Sequence, residues 1–532
     1  MQNIKNTLYI FLFTLSFVSC SLYKAYDGKP TVPQGLMGKE HNQKDSIGIG
    51  GLSWQEMYSD TLLQKLIERG LANNTDVRTA RLTVEQAQND LRSVRMGNLP
   101  TLSFEPTGGL SHFGGVNSWP YEVPVTATWQ LNIFGQNTSK KRQQKARIAM
   151  YDDYRQAVEA TLIANIANTY YMLVMLDREL QILKETKEVW EKSLESMRTL
   201  YEAGVYPSPA VYQMEASLAG VKYGIVQVKS DIQTTEAALC RLLSEVPHHI
   251  ERAPYATFVL PEKLSVGVPL RLLSARPDVR QAERKMEIAY YDTQMAQQSF
   301  YPNIVISADF GWSNNNGTVN PGKLLAEAIA SITQPIFAQG KLRAKYKNAK
   351  IEQQKANLHF EQTLLNAGNE AYRYLKQYHK SRKSEGYIVV MIASLHDAYE
   401  GTRELMNNGT NTYVEVLKAQ EDLLSTQIRE VENYYAGVQA LINLYTALGG
   451  HEPPLCFLYK TTQLCPHVAK LCFLLYMSLH YALLPSIFGI LLLVVGVIFQ
   501  VLLAQTLRLY VRHCEQGVAR LYPYHLCGRL NI

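Results

Sequence analysis

Few residues in this chain have the type and spacing to carry chemistry. The segment from Gly317 to Lys323, Gly-Thr-Val-Asn-Pro-Gly-Lys, is the nearest approach to a phosphate-binding loop, in which glycines let backbone N–H groups close on a phosphate that the lysine neutralises. Leu324 follows where a Ser or Thr must reach magnesium, and the segment lies between two predicted strands rather than before a helix. It reads as a hairpin loop. His248 and His249 offer imidazoles, but they precede a polar connector and lack the further ligands of a tetrahedral site, so they read as an exposed pair. No G-x-S-x-G elbow, H-E-x-x-H helix or spaced Cys/His cluster occurs in the first 450 residues. Of seven cysteines, only Cys20 and Cys240 lie there, while Cys456, Cys465, Cys472, Cys514 and Cys527 crowd the tail. Two cysteines build neither a disulfide framework nor a zinc knuckle. The expectation is no catalytic residue, no metal and no cofactor, hence not an enzyme.

Cys20 is the one cysteine with a chemical reading. Lys5 precedes an uncharged apolar stretch from Thr7 to Val18, too short to span a bilayer comfortably and followed at once by Ser19-Cys20. That is the layout of an export signal. Two outcomes fit: cleavage near Ser19 that leaves Cys20 incidental, or processing in which Cys20 becomes a lipid-bearing first residue. The apolar residues and the small Ser19 directly before the cysteine resemble the bacterial lipoprotein site, although Phe17 stands where a Leu is usual. Lipidation of Cys20 is the reading adopted.

The elements around these residues come from a chain of 532 residues, 46% hydrophobic and 19% charged, which excludes collagen-like, mostly disordered and polytopic α-helical membrane proteins. The net charge of +6 is 53 against 47, and six against two of those charges lie after Gly450, leaving +2 on the body. Such a body lacks the electrostatic footprint of a nucleic-acid binder. The body also repeats itself. Asp76-Val77-Arg78 and Leu99-Pro100 recur as Asp278-Val279-Arg280 and Tyr301-Pro302 at an offset of 202. Ile133-Phe134 recurs as Ile336-Phe337, and Arg198, Leu200 and Gly204 recur as Arg403, Leu405 and Gly409. Each copy reads helix, strand, strand, long helix, tight turn, helix.

Segments Thr101 to Phe113, Tyr121 to Ile133 and Pro302 to Ser313 alternate apolar and polar residues with period two, and a fourth, about Leu325 to Ile336, does so less clearly. Strands of this length suit a tilted crossing of a bilayer, but also a soluble sandwich, and the strands alone leave that choice open. The spans from about Asn137 to Ala203 and Lys341 to Asn408 contain no proline and predict helices on the order of 100 Å long. Each is followed by a returning helix with a seam spaced alternately by three and four, Val211, Met214, Leu218 and Val221 onward in the first and Leu417 to Tyr445 in the second, interrupted by Glu421. This is coiled-coil pairing. Four strands cannot close a barrel, and an open edge within lipid leaves backbone groups unpaired, so a membrane-borne sheet must be completed by other copies of the chain.

From Cys20 to Gly450 the chain resembles the TolC-type outer-membrane efflux family, in particular its lipoprotein branch. The resemblance rests on ARPDVRQAE from Ala275, SFYPNIVIS from Ser299, YEAGVYPSPAVYQMEASL from Tyr201 and NNGTNTYVEVLKAQEDLL from Asn407. It implies a mainly α fold with β: a homotrimer with a twelve-stranded outer-membrane β-barrel, four strands per chain, continued through the periplasm by a long antiparallel coiled-coil α-helical barrel. The implied function is a passive conduit of a tripartite efflux or export system, anchored in outer-membrane lipid and docked to a periplasmic adaptor and an inner-membrane transporter. The same resemblance makes the hairpin tips, Gly204, Val205 and Tyr206 with Gly409 and Thr410, the adaptor-docking surface. It also makes Asn411, Glu415 and Lys418 the pore gate. Asn411 stands where an arginine is frequent and Lys418 where a carboxylate is; Lys418, three residues from Glu415, is placed to pair with it and weaken cation selectivity.

The expected organisation is a signal peptide at 1–20, an N-terminal extended segment at 21–57, repeat one at 58–250, a linker at 251–268, repeat two at 269–450 and an atypical apolar, Cys-rich tail at 451–532. Between Lys470 and Arg508 lie thirty-seven residues without Asp, Glu, Lys or Arg, a transmembrane helix by hydropathy and at odds with a barrel that must first cross the inner membrane. The tail is read as foreign to the fold. A trimeric coiled-coil envelope protein that conducts nothing is the competing function.

Overall fold

The computed structural model describes residues 26–27, 52–255, 258, 260–261, 274–315, 319, 321–407 and 413–450. Cys20, the tip residues Gly409, Thr410 and Asn411, and the tail lie outside the described residues. The chain divides into a unit Met1–Glu452, which contains every element below, and a unit Pro453–Ile532. No helix among the described residues is long and apolar enough to cross a membrane.

A single helical turn, α1 (Trp54–Met57), is closed by a capping box between Ser53 and Glu56, so the end of the stretch expected to be extended is helical. Next come α2 (Thr61–Asn73), capped by Asp60, and α3 (Thr75–Met96), capped by Asn74. Strands β1 (Thr101–Phe104), β2 (Thr107–Gly108), β3 (Ser111–Phe113), β4 (Val116–Ser118) and β5 (Tyr121–Leu131) lead into α4 (Gln136–Glu202) and α5 (Ser208–Leu243). The second copy comprises α6 (Pro277–Gln298), β6 (Asn303–Ser313), β7 (Lys323–Thr333), α7 (Lys341–Asn407) and α8 (Tyr413–Ala447). Both long helices begin after a glycine in the left-handed region, Gly135 and Gly340, each with φ +77°. Those two turns re-aim the chain from sheet to helix where a side chain would be strained.

The sheet order is β1-β5-β6-β7, all antiparallel, with β2 also on β5. Register places Leu102 opposite Ala127, Val125 opposite Phe310 and Phe310 opposite Ala326, so one face is apolar across all four strands. The other face carries Thr126, whose Oγ1 donates to Asp309 Oδ1 at 2.5 Å, and Gln130, which donates to Asn303 at 2.8 Å. The weaker fourth strand is explained by Leu325 and Ile329 standing on this polar face. Thr101 to Phe113 is not the single strand that alternation predicts. Pro106 cannot donate to a ladder, the chain breaks there, and β3 folds onto β4 as a separate hairpin.

Most of the core surrounds the middle of α4, where Ile166, Tyr170 and Leu173 pack with Leu63, Leu239 and Leu441 from α2, α5 and α8. A smaller core joins α6 to α7 through Val279, Met286, Phe360 and Leu364. The predicted seam of α5 is buried at Val211, Met214, Leu218, Val221, Val228 and Ile232.

Candidate functional site

Three places position the residues singled out above: the sheet, the length of the long helices and the far tips. On the sheet, the apolar face is uncovered. Leu102 is 73% exposed, Phe310 59% and Leu324 61%, and no described element packs over them. A soluble sandwich buries such a face against a second layer, because each exposed large apolar side chain forfeits roughly 1.5–3 kcal/mol. Among the described residues the edge strands β1 and β7 have no outer partner.

Along the long helices, three arginines clasp neighbouring elements, and one of them, Arg280, spans the two repeats. Arg276 Nη1 donates to Ala447 O at 2.8 Å, and its Nη2 reaches both Asp278 and Glu370 at 2.8 Å. Burial alone would lower its pKa, but those bonds outweigh burial and raise it. Arg280 Nε donates to Asp153 at 2.7 Å and thereby ties α6 to α4. Asp153 has its carboxyl pushed up by burial in spite of that arginine. Arg252, almost buried, joins Asp177 of α4 to Glu236 of α5, with a 2.6 Å contact to the latter. His249 Nδ1 lies 2.8 Å from the same Glu236, so that imidazole belongs to a structural hydrogen-bond network.

At the tips, α4 ends as Gly204 turns left-handed with φ +78°, and Val205 N donates back to Leu200 O at 2.9 Å. Pro207 then caps α5. Val205 is 61% exposed. The Tyr206 ring meets the Tyr413 ring edge-on at 6.0 Å, which joins the first hairpin turn to the start of α8. Ser217 Oγ donates to Glu421 Oε1 at 3.0 Å, so the residue that interrupts the α8 seam makes a second link between the hairpins. Glu415 is exposed on the first turn of α8. Lys418 does not pair with it. Its Nζ reaches forward to Asp422 Oδ1 at 2.6 Å, because a lysine and an aspartate four residues apart meet on one helix face. That bond raises the Lys418 pKa. The arrangement can present charge to a passage; among the described residues no group of His, Cys, Asp and Glu is placed to hold a metal ion.

Sequence reasoning missed Asp422, Tyr206 with Tyr413, and the Arg252 network. Only Asp422 carried a local signal, its spacing from Lys418.

Residues 66–245 and 268–450 match the family model described as outer membrane efflux protein, one segment in each repeat. The chain belongs to the outer membrane efflux protein family. It is 25% identical over 459 residues to the cation efflux system protein CusC of Escherichia coli O6:H1, covering 83% of this chain and 97% of that one. It is 26% identical over 455 residues to the solvent efflux pump outer membrane protein SrpC of Pseudomonas putida, with 81% and 95% covered. It is 24% identical over 456 residues to the antibiotic efflux pump outer membrane protein ArpC of Pseudomonas putida, with 81% and 92% covered. A crystal structure of CusC superposes with a TM-score of 0.73 at 24% identity, covering 81% of this chain and 100% of that one. The open state of the MtrE outer membrane channel of Neisseria gonorrhoeae gives 0.72 at 23%, with 81% and 99% covered. These likenesses show the fold of the efflux protein, and the family places it in the outer membrane.

Proposed function

We propose that the protein is the outer-membrane conduit of a tripartite efflux or export system. Three copies pair β7 of one with β1 of the next and close a barrel around a water-filled passage; the long helices continue that passage toward the inner membrane. The observation that carries this reading is the sheet: one continuous apolar face left bare, with two open edges. In hydrocarbon the bare face is satisfied, and only closure satisfies the edges. A lipid on Cys20 adds an anchor. The tips around Gly204, Val205, Tyr206, Gly409 and Thr410 dock to a periplasmic adaptor, and Asn411, Glu415 and Lys418 with Asp422 surround the narrow end.

Transport through such a duct is passive, and the protein supplies shape and charge rather than chemistry. Relatives of nearly equal identity carry names for cations, solvents and antibiotics, so the cargo is set by the inner-membrane pump. The test is reconstitution of the purified protein in planar bilayers, together with its mass in detergent. Conductance steps from a trimer are expected. A folded monomer that stays soluble without detergent overturns the reading, and a trimer without conductance favours an envelope coiled coil instead.

A further inference from the structure

The barrel-side ends of the long helices concentrate positive charge that the rest of the body lacks. Between Lys140 and Arg147, α4 carries five Lys or Arg and no carboxylate; between Lys341 and Lys350, α7 carries five more and none. The adjoining last two turns of α3 add Arg92 and Arg95, against Asp90 there and Asp292 on the corresponding turn of α6. Among the described residues, Lys141, Lys145 and Lys347 have no carboxylate within ion-pair reach, and Lys350 lies 5.1 Å from the centre of the Tyr346 ring. Those lysines, left without carboxylates on a nearly neutral body, imply an anionic partner outside the chain.

Position narrows the partner. β5 ends at Leu131 and α4 begins at Gln136; β7 ends at Thr333 and α7 begins at Lys341. Each basic run therefore occupies about the first 15 Å of helix below the sheet, at 1.5 Å per residue. Trp129 marks that rim: its ring stands on the bare apolar face while its Nε1 donates to Asn98 O at 2.8 Å, the posture of an interfacial aromatic. The polar layer of a bilayer is roughly 5–8 Å thick on each side, and lysine stems reach several ångströms toward it.

Orientation narrows it further. Ser139 and Gln143 face α6, through Gln298 at 3.0 Å and Ile288 O at 3.4 Å, whereas Gln144 faces α3, through Ala87 O at 3.1 Å. At roughly 100° per residue, Lys145 falls near the middle of the wide arc that neither neighbour covers. In a single wall of helices around a lumen, that arc is the convex, outer one. Lys350 stands at the position of Lys145 in the second repeat, at the same offset that relates Gly135 to Gly340.

We propose that this basic belt binds the anionic phosphodiester headgroups of glycerophospholipids in the periplasmic leaflet and so fixes the depth at which the channel sits. The inference rests on the channel reading above. The full-length protein is reconstituted in vesicles of equal parts phosphatidylcholine and phosphatidylglycerol, extracted mildly, and its retained lipid measured by mass spectrometry. Phosphatidylglycerol should be enriched, and the variant K141Q/K145Q/K347Q/K350Q should reduce that enrichment by about tenfold or more, since each basic side chain near an anionic surface is worth about fivefold. The matching Lys→Arg variant should retain it. Equal retention of both lipids by the unaltered protein, or enrichment that survives in the glutamine variant, overturns the inference. So does a glutamine variant whose ion selectivity shifts while its lipid stays enriched, because the lysines then face the lumen. Enrichment in a protein that never conducts leaves the belt standing and sinks the conduit.

Discussion

Asn74 and Arg276 hold the same carbonyl in two copies of one fold. Asn74 caps α3 and donates through Nδ2 to Leu242 O at 2.9 Å; Arg276 precedes α6 and donates through Nη1 to Ala447 O at 2.8 Å. Each reaches the end of the returning helix of its own repeat. A short amide does this in the first copy. In the second, a guanidinium does it and also gathers Asp278 and Glu370.

Unequal costs of substitution follow. Asn74→Ala removes an N-cap and leaves a carbonyl unpaired, and should lower stability by about 1–2 kcal/mol. Arg276→Ala takes the cation from two carboxylates and should cost about 2–3 kcal/mol, below the figure for fully buried pairs because Asp278 and Glu370 remain partly exposed. Denaturant midpoints of the purified protein in detergent would rank the two.

The ends of the two returning helices differ in the same spirit. Ser244 closes α5 in the left-handed region with φ +58°, and Gly449 occupies the matching place after α8 with φ +82°. Ser244→Gly should therefore stabilise by about 0.5–1 kcal/mol as strain is relieved. Gly449→Ala should destabilise by about 1–2 kcal/mol, since its new Cβ meets Ala275 and Arg276 backbone at 3.3 Å in addition to the strain. Thermal melting read in both directions is decisive: a loss for Ser244→Gly contradicts the account.

At the proposed gate, the pairing of Lys418 with Asp422 leaves Glu415 as the uncompensated charge of the three. Glu415→Gln should reduce the preference for cations, and Lys418→Gln should increase it by releasing Asp422. Reversal potentials under a salt gradient measure both, and shifts of the same sign would refute the assignment.

The Glu236 carboxyl titrates below the ordinary carboxylate range. Burial alone would raise it, but Arg252, the Ile250 N–H and His249 outweigh burial. The folded state thus binds its proton more weakly than the unfolded chain, so this group stabilises above the ordinary carboxylate pKa. That contribution is lost as pH falls through the depressed value. Acid unfolding, as pH falls from above the ordinary carboxylate pKa through the depressed one, should lose part of its steepness in Glu236→Gln. An unchanged pH profile would show that the Arg252 network contributes nothing there.

Much of this architecture was legible in the sequence because the signals are local and periodic. The absence of proline from Asn137 onward and glycine at Gly204 bound α4 to within a residue of its observed span, and the three-four spacing named the buried seam of α5. Pro106 was equally visible, yet alternation on either side of it masked the break between β1 and β2. Lys418 had carboxylates within reach both three residues before and four residues after it, and only the folded helix shows that it takes Asp422. The contact of Tyr206 with Tyr413 and the Arg252 network join residues from distant parts of the chain, so no window of sequence contains them.

The two long helices have one length, 67 residues each. Two rods that hang from a common sheet and must end flush tolerate no private change. Removing seven residues from one alone would leave a step of about 10 Å at the tips and pull its turn out of line with its sister. Insertions and deletions in this lineage should therefore arrive as matched heptads in both halves, so that the duplication acts as a ruler that evolution can only cut twice.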